Sequence, residues 1–296
     1  MFPSDFDYYR ASSVEEAVEL LAEHQDAETQ VLAGGHSLLP TMKSGLASPD
    51  VVVDISDISE LTGVTISDDS TTIGAGTTYV DVLAHPDITT VCPDLAETLE
   101  VVGDRQVRNA GTVGGNLAHA DPASDIPGVA VAADADLRVA GPDGERTVPA
   151  EDFFIAMYTT ALEATDLLTE VEFPNVGATD GAAYVKKSSP SSGYAMIGVA
   201  ARLGTDGDVI TEARLAANGA FDHPQRLTPV EDALIDTPVD AIDARAVADH
   251  ATDGVESWEL MDDIQVSGEF RAHLLEVYTG RAIERSLERL PTPQTV

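Results

Sequence analysis

Two short segments of this chain have the residue types of a diphosphate cradle: Ala33-Gly34-Gly35-His36-Ser37 and Thr112-Val113-Gly114-Gly115-Asn116. Paired glycines let a backbone approach an anion closely and turn successive N–H groups toward it, and Ser37, Thr112 and Asn116 can add side-chain donors. Neither segment continues into the Gly-Lys-Ser/Thr of a Walker-type loop, which disfavours a P-loop nucleotidase. Gly74-Ala75-Gly76 follows a strand-like run, but Tyr79 stands where a dinucleotide fingerprint has glycine or alanine. One Gly-Gly pair is ordinarily a tight turn. Two donor-rich pairs in one chain point instead to a cofactor with two phosphates.

His36, His119, Asp121 and Asp125 could be drawn together as a metal or acid-base cluster. Against that, Asp121-Pro122 and Ser124-Asp125-Ile126-Pro127 have the makeup of turn and N-cap positions, and His36 lies in a loop whose backbone already has a task. We therefore assign no metal ligands and no catalytic side chain. Cys92 is the sole cysteine, which excludes an intramolecular disulfide and any iron-sulfur cluster held by this chain's own thiols. It reads as a small buried hydrophobe.

The elements that must position these segments follow from periodicity. Ser12-Ser13-Val14-Glu15-Glu16 offers capping boxes ahead of Val14, Ala17, Val18, Leu20 and Leu21, predicting a helix over 14–24. Val31-Leu32-Ala33 is a strand running into the first glycine pair, one or two helical turns follow over 38–46, and Val51-Val52-Val53-Asp54-Ile55 is a second buried strand. Strands over 61–66 and 71–75 pair across a polar turn, helices are predicted over 79–84 and 94–102, and strands over 137–140 and 146–148 flank the turn Pro142-Asp143-Gly144. A strand over 167–173 closes this part. Beyond a Pro- and Gly-containing linker at 174–181 come strands over 183–187, 195–203 and 209–217, then helices ending in one over 269–290. The expected domains are 1–57 and 58–176, two halves of one binding region, and a C-terminal unit at 180–290.

Asp and Glu number 52 against 16 Lys and Arg, a net charge of -36, while 43% of residues are hydrophobic. Such a chain can fold, so its acidity belongs to the surface. The acid is spread along the chain, as in proteins adapted to a salt-rich cytoplasm, where screening tolerates the repulsion. A basic nucleic-acid surface is excluded. No apolar run approaches a membrane span, and the first residues lack a basic, then apolar, leader. The expectation is a soluble cytoplasmic protein.

At Leu32-Ala33-Gly34-Gly35-His36-Ser37-Leu38-Leu39-Pro40, and again at Gln106-Val107-Arg108-Asn109-Ala110-Gly111-Thr112-Val113-Gly114-Gly115-Asn116 leading into Ala120-Asp121-Pro122-Ala123-Ser124-Asp125-Ile126-Pro127, the chain resembles a known family. This is the medium, FAD-binding subunit of molybdenum hydroxylases, the group of aerobic carbon monoxide dehydrogenase and xanthine dehydrogenase. The likeness continues through Phe153-Phe154, Tyr194-Ala195-Met196-Ile197-Gly198-Val199-Ala200 and Phe270-Arg271, and so covers essentially the whole chain.

The resemblance implies an α+β fold: a two-part FAD-binding region of vanillyl-alcohol-oxidase type, then a C-terminal domain of antiparallel sheet and helices. It implies non-covalent FAD, with the diphosphate held by Ala33, Gly34, Gly35, His36, Ser37 and Leu38 and by Thr112, Gly114, Gly115 and Asn116. Asp125 would lie near the ribose or ribityl hydroxyls, Lys186 near the flavin, and Tyr194 against the isoalloxazine ring. It further implies a small partner subunit carrying two [2Fe-2S] clusters and a large molybdopterin subunit, in a dimer of heterotrimers. Electrons would pass from the clusters through FAD to an external acceptor. Where relatives carry arginines after the lysine and an aspartate before the tyrosine, this chain has Ser188-Ser189-Pro190 and Gly193. The alternative, a self-sufficient flavin oxidase or dehydrogenase of the same fold, needs a substrate-facing acid or base, and no residue presents itself for that role.

Overall fold

Val51–Asp54 is buried along its whole length, and this fixes the first layer of the computed structural model, which describes residues 2–291. A strand covered on both faces belongs inside a parallel sheet. It lies between Asp7–Arg10 and Thr29–Leu32, both parallel to it. The helix Val14–Glu23 covers this sheet through Ala17, Val18 and Leu21, and its N-terminus is closed by Ser13 Oγ, which accepts the Glu16 N–H at 3.1 Å. Asp7–Arg10 was not expected from sequence. Its residues Asp-Tyr-Tyr-Arg are largely exposed and show no apolar run; ladder bonds to the edge of Val51–Asp54 recruit them.

A five-stranded antiparallel sheet follows, in the order Val64–Ile66, Ser70–Gly74, Leu167–Pro174, Asp136–Gly141, Gly144–Pro149. Both expected hairpins are present, and Gly141 pairs with Gly144 across the second. The strand expected to begin at 61 starts later, because Ser59–Leu61 is a 3-10 turn that buries Leu61. Behind the sheet lie Tyr79–Leu83, Pro93–Val101, Val113–His119 and Ile126–Ala132.

The third sheet is a four-stranded antiparallel meander, Asp180–Ser188, Ala195–Asp206, Val209–Asn218 and Gln225–Arg226. The helix Gly268–Leu287 packs on it through Leu274, Leu275, Ala282 and Ile283. Two charged clamps fasten this unit to the preceding one. Arg202 meets the fully buried Asp94 with Nε at 2.7 Å and Nη2 at 3.1 Å, a bidentate geometry that fixes direction as well as distance. Glu97 is held by Arg285 and Arg289 of the long helix. Mixed helix and sheet with a separate antiparallel C-terminal layer is the α+β architecture expected.

Candidate FAD-binding site

The first glycine pair leaves the end of Thr29–Leu32 and enters the short helix Leu38–Ser44. Gly35 has φ +70°, in the left-handed region that a side chain adopts only at a cost. Gly34 is needed for another reason: a Cβ there would stand 1.9 Å from the Ala110 carbonyl oxygen. Among the described residues, the N–H groups of residues 34–38 donate to no protein acceptor. Five consecutive donors free of internal partners, on a loop with no cation, make a surface for a diffuse anion such as a diphosphate.

The second pair lies against the first, since a Cβ on Gly115 would be 3.6 Å from Ala33 Cβ. Its N–H groups, however, are already engaged. Val113 N–H donates to Thr77 O at 3.0 Å, Gly114 N–H to Ala75 O at 2.8 Å, and Asn116 N–H to Thr112 O at 3.1 Å. Gly115 N–H donates to Thr112 Oγ1 at 3.2 Å. Gly114 is there because the backbone and methyl of Ala75 leave no room, with a Cβ meeting Ala75 Cβ at 2.3 Å. The sequence reading gave both pairs the same backbone task; the structure gives the N–H groups of 113–116 to the fold. What this segment can still offer a ligand is side chains and close approach.

Asp125 stands at the N-terminus of Ile126–Ala132 but its carboxylate makes no cap, which corrects the N-cap reading. The buried carboxylate instead accepts from Lys186 Nζ at 2.6 Å and from the Tyr184 hydroxyl at 2.5 Å. Burial pushes its carboxyl above the ordinary range, and the Lys186 ammonium opposes that. Asp125 and Lys186, named separately from sequence, are thus one buried ion pair. Tyr184 and Asn218, which completes the same network, were missed. Tyr184 could have been found from strand period, being two residues before Lys186 and so on the same face.

Tyr194 is half-exposed, and burial together with the charges of Asp121 and Asp125 holds its hydroxyl above the usual range. Near Asp121 lie Tyr158, whose hydroxyl is 3.5 Å from Oδ2, and His119, tilted against Tyr158 with 5.2 Å between ring centroids. Asp121 itself closes a turn, with Oδ1 accepting the Ala123 N–H at 2.9 Å. The departing segment is a latched turn: Ser189 N–H donates to Tyr194 O at 2.7 Å, Gly193 has φ +78°, and Ser189 Oγ donates to Gln265 Oε1 at 2.8 Å. Cys92 is buried, and burial pushes its thiol up to about 11, so it stays a neutral packing group.

Residues 4–176 match the FAD-binding domain of molybdopterin dehydrogenases, and residues 182–286 match the C-terminal domain of carbon monoxide dehydrogenase flavoproteins. The chain belongs to the medium, FAD-binding subunits of the carbon monoxide dehydrogenase and xanthine dehydrogenase family. It is 38% identical to the carbon monoxide dehydrogenase medium chain of Hydrogenophaga pseudoflava over 73% of this chain and 75% of that one. It is 32% identical to the caffeine dehydrogenase subunit beta of Pseudomonas sp. strain CBB1, over 98% of this chain and 97% of the other. A solved carbon monoxide dehydrogenase from Hydrogenophaga pseudoflava superimposes with a TM-score of 0.93 at 33% identity, covering 98% of this chain and 100% of that chain.

The residues of this subunit fit FAD. The N–H groups of residues 34–38 suit a diphosphate, and the exposed rings of Tyr158 and Tyr194 offer aromatic surface that suits a flavin ring. No helix among the described residues is long and apolar enough to cross a membrane.

Proposed function

We propose that this chain is the electron-transfer subunit of a molybdenum hydroxylase complex, binding FAD non-covalently between a small iron-sulfur subunit and an external acceptor. A large molybdopterin subunit completes the unit, and two such heterotrimers pair. When bound, FAD supplies storage of two electrons that can be exchanged one at a time. The observation that carries the reading is the conjunction of family matches over residues 4–176 and 182–286 with a loop whose N–H groups at 34–38 have no partner among the described residues.

In this reading the backbone from Ala33 through Gly34, Gly35, His36 and Ser37 to Leu38 holds the diphosphate. Thr112, Gly114, Gly115 and Asn116 form the opposite wall, with Gly114 and Gly115 keeping it thin. The Asp125–Lys186 pair presents fixed charge toward the cofactor's sugar and ring, and Tyr194 lies along the ring face. Among the described residues no positioned base, nucleophile or metal set accompanies these groups, so the part assigned to them is to hold and shield a redox group rather than to activate a C–H bond.

An anaerobic titration of the isolated, FAD-loaded chain tests this. An artificial one-electron donor should bleach the oxidised flavin band, whereas aldehydes, purines and carbon monoxide should not until both partners are added. Bleaching by any such substrate alone, at a rate comparable to turnover, would make the chain a self-sufficient flavoenzyme. Acid precipitation should release the flavin into the supernatant.

A further inference from the structure

Lys186, Gly198 and Asn218 stand in register across three adjacent strands of the third sheet, and Tyr184 precedes Lys186 by two residues on the same strand. The Tyr184 hydroxyl donates to Asp125 Oδ1 at 2.5 Å and lies 3.3 Å from Asn218 Oδ1. A phenol has one proton to give, and the buried carboxylate is the nearer and stronger acceptor. Asn218 must then meet the phenol oxygen with an amide N–H. That places its Nδ2 on the Tyr184 side and its Oδ1 in the buried position that has no partner, and the chain reads Asn218 to Tyr184 to Asp125, with Lys186 on the other carboxylate oxygen.

The surrounding backbone is cleared for this chain of bonds. A Cβ on Gly198 would fall 2.1 Å from the Tyr184 hydroxyl and 2.6 Å from the Asn218 amide, and one on Gly128 would fall 2.7 Å from the same amide. Two glycines on different elements thus make room for the Tyr184 hydroxyl and the Asn218 amide. Asn218 is fully buried and Tyr184 almost so, a setting in which half-satisfied polar groups are costly and fully satisfied ones hold a single geometry.

We propose that Tyr184 and Asn218 are positioning residues that hold the Asp125–Lys186 pair in one geometry and charge state at the cofactor-facing end of the third sheet. The proposal deepens the FAD reading and rests on it for the direction the pair faces. Burial raises the Asp125 carboxyl, while Lys186 and Tyr184 lower it and Asp121 raises it further. Tyr79 and Tyr194 also face it, both held neutral by burial. Removing the Tyr184 hydroxyl withdraws a donor to the ionised carboxylate, so Asp125 takes up its proton at higher pH and Lys186 loses its counter-charge there.

The chain is suited to a direct measurement because it has only three lysines, Lys43, Lys186 and Lys187. With ε-13C-lysine in the full-length chain, three signals result, and the Lys186 signal is the one absent from Lys186→Arg. Its inflection with Asp125 protonation should move up by about one pH unit, a tenfold change in proton affinity, in Tyr184→Phe. Asn218→Ala should move it in the same direction by less, and the signals of Lys43 and Lys187 should not move. In the FAD-loaded chain Tyr184→Phe should also raise the flavin reduction potential near that inflection, since positive charge there is less compensated. An unchanged Lys186 inflection in both variants, with only a lower melting temperature, would reduce the network to packing and overturn the proposal. A chain that bound no FAD would overturn the FAD reading separately, while the lysine signals recorded without flavin would still decide whether Tyr184 and Asn218 govern the pair.

Discussion

The two glycine pairs look alike in sequence and do different work in the fold. In residues 34–38 the backbone N–H groups have no partner among the described residues, whereas in residues 113–116 each one is spent on Thr77, Ala75 or Thr112. The first glycine of each pair is a packing glycine, Gly34 against the Ala110 carbonyl and Gly114 against Ala75. The second differs: Gly35 provides a left-handed turn, and Gly115 leaves space beside its own cap. A glycine pair therefore announces close approach, and only the hydrogen-bond ledger shows whether a ligand or the protein itself is approached.

The largest effect should come from Gly114→Ala. Its methyl would meet Ala75 Cβ at 2.3 Å and Ala75 Cα at 2.7 Å, and neither can retreat without moving the strand end. Overpacking against backbone of this kind costs about 3 kcal/mol, so urea unfolding should shift strongly even without FAD. If apo stability stayed unchanged while FAD affinity fell, the segment would be a ligand loop and the contrast would be lost.

Salt should act next. A charge of -36 opposes compaction when poorly screened, and a dianionic diphosphate on neutral N–H donors meets the same field. Dialysis from molar potassium chloride to dilute buffer should lower the melting temperature by roughly 10 °C, a few kcal/mol for a domain of this size. FAD affinity should weaken in parallel, the reverse of the usual response of a cation-lined anion site. A melting curve and affinity indifferent to salt would remove the halophilic reading.

Gly35→Ala should separate binding from folding. The φ of +70° costs an alanine about 1 kcal/mol, and the methyl would meet only side chains, Leu39 at 2.9 Å and the movable end of Leu32 at 3.2 Å. The chain should stay folded and lose about tenfold in FAD affinity, about 1.4 kcal/mol. Isothermal titration alongside chemical denaturation reads both quantities. A large loss of apo stability with unaltered affinity would exchange the roles assigned to the two pairs.

Much of this was legible because it is local. The helix Val14–Glu23, the hairpin closing at Gly141 and Gly144, and the three long strands of the last sheet each follow from period and turn residues over a few positions. The two glycine pairs were visible for the same reason. Asp7–Arg10 was not, because its strand character comes from a neighbouring ladder. The joining of Asp125 to Lys186, with Tyr184 and Asn218 behind them, was hidden by separations of 61, 59 and 34 residues. Nor could the sequence tell that the N–H groups of Val113, Gly114 and Asn116 are occupied, since their acceptors are backbone carbonyls, which every residue has.

The smallest expected effect bears most directly on the second segment. Thr112 caps Val113–His119, its Oγ1 accepting the Gly115 N–H, and the residue is nearly buried. If the segment is scaffold, that hydroxyl's main task is internal. Thr112→Val keeps the shape and β-branching but removes the acceptor, leaving the Gly115 donor unmet, and should cost about 1 kcal/mol. Thr112→Ser keeps the acceptor and should recover most of it. FAD affinity measured at fixed salt should change by no more than about twofold in Thr112→Val, because the diphosphate donors on the other loop are untouched. A fall of a hundredfold, with stability intact, would mean that Thr112 faces the cofactor rather than its own helix. The second glycine pair would then rank with the first as a ligand-holding loop.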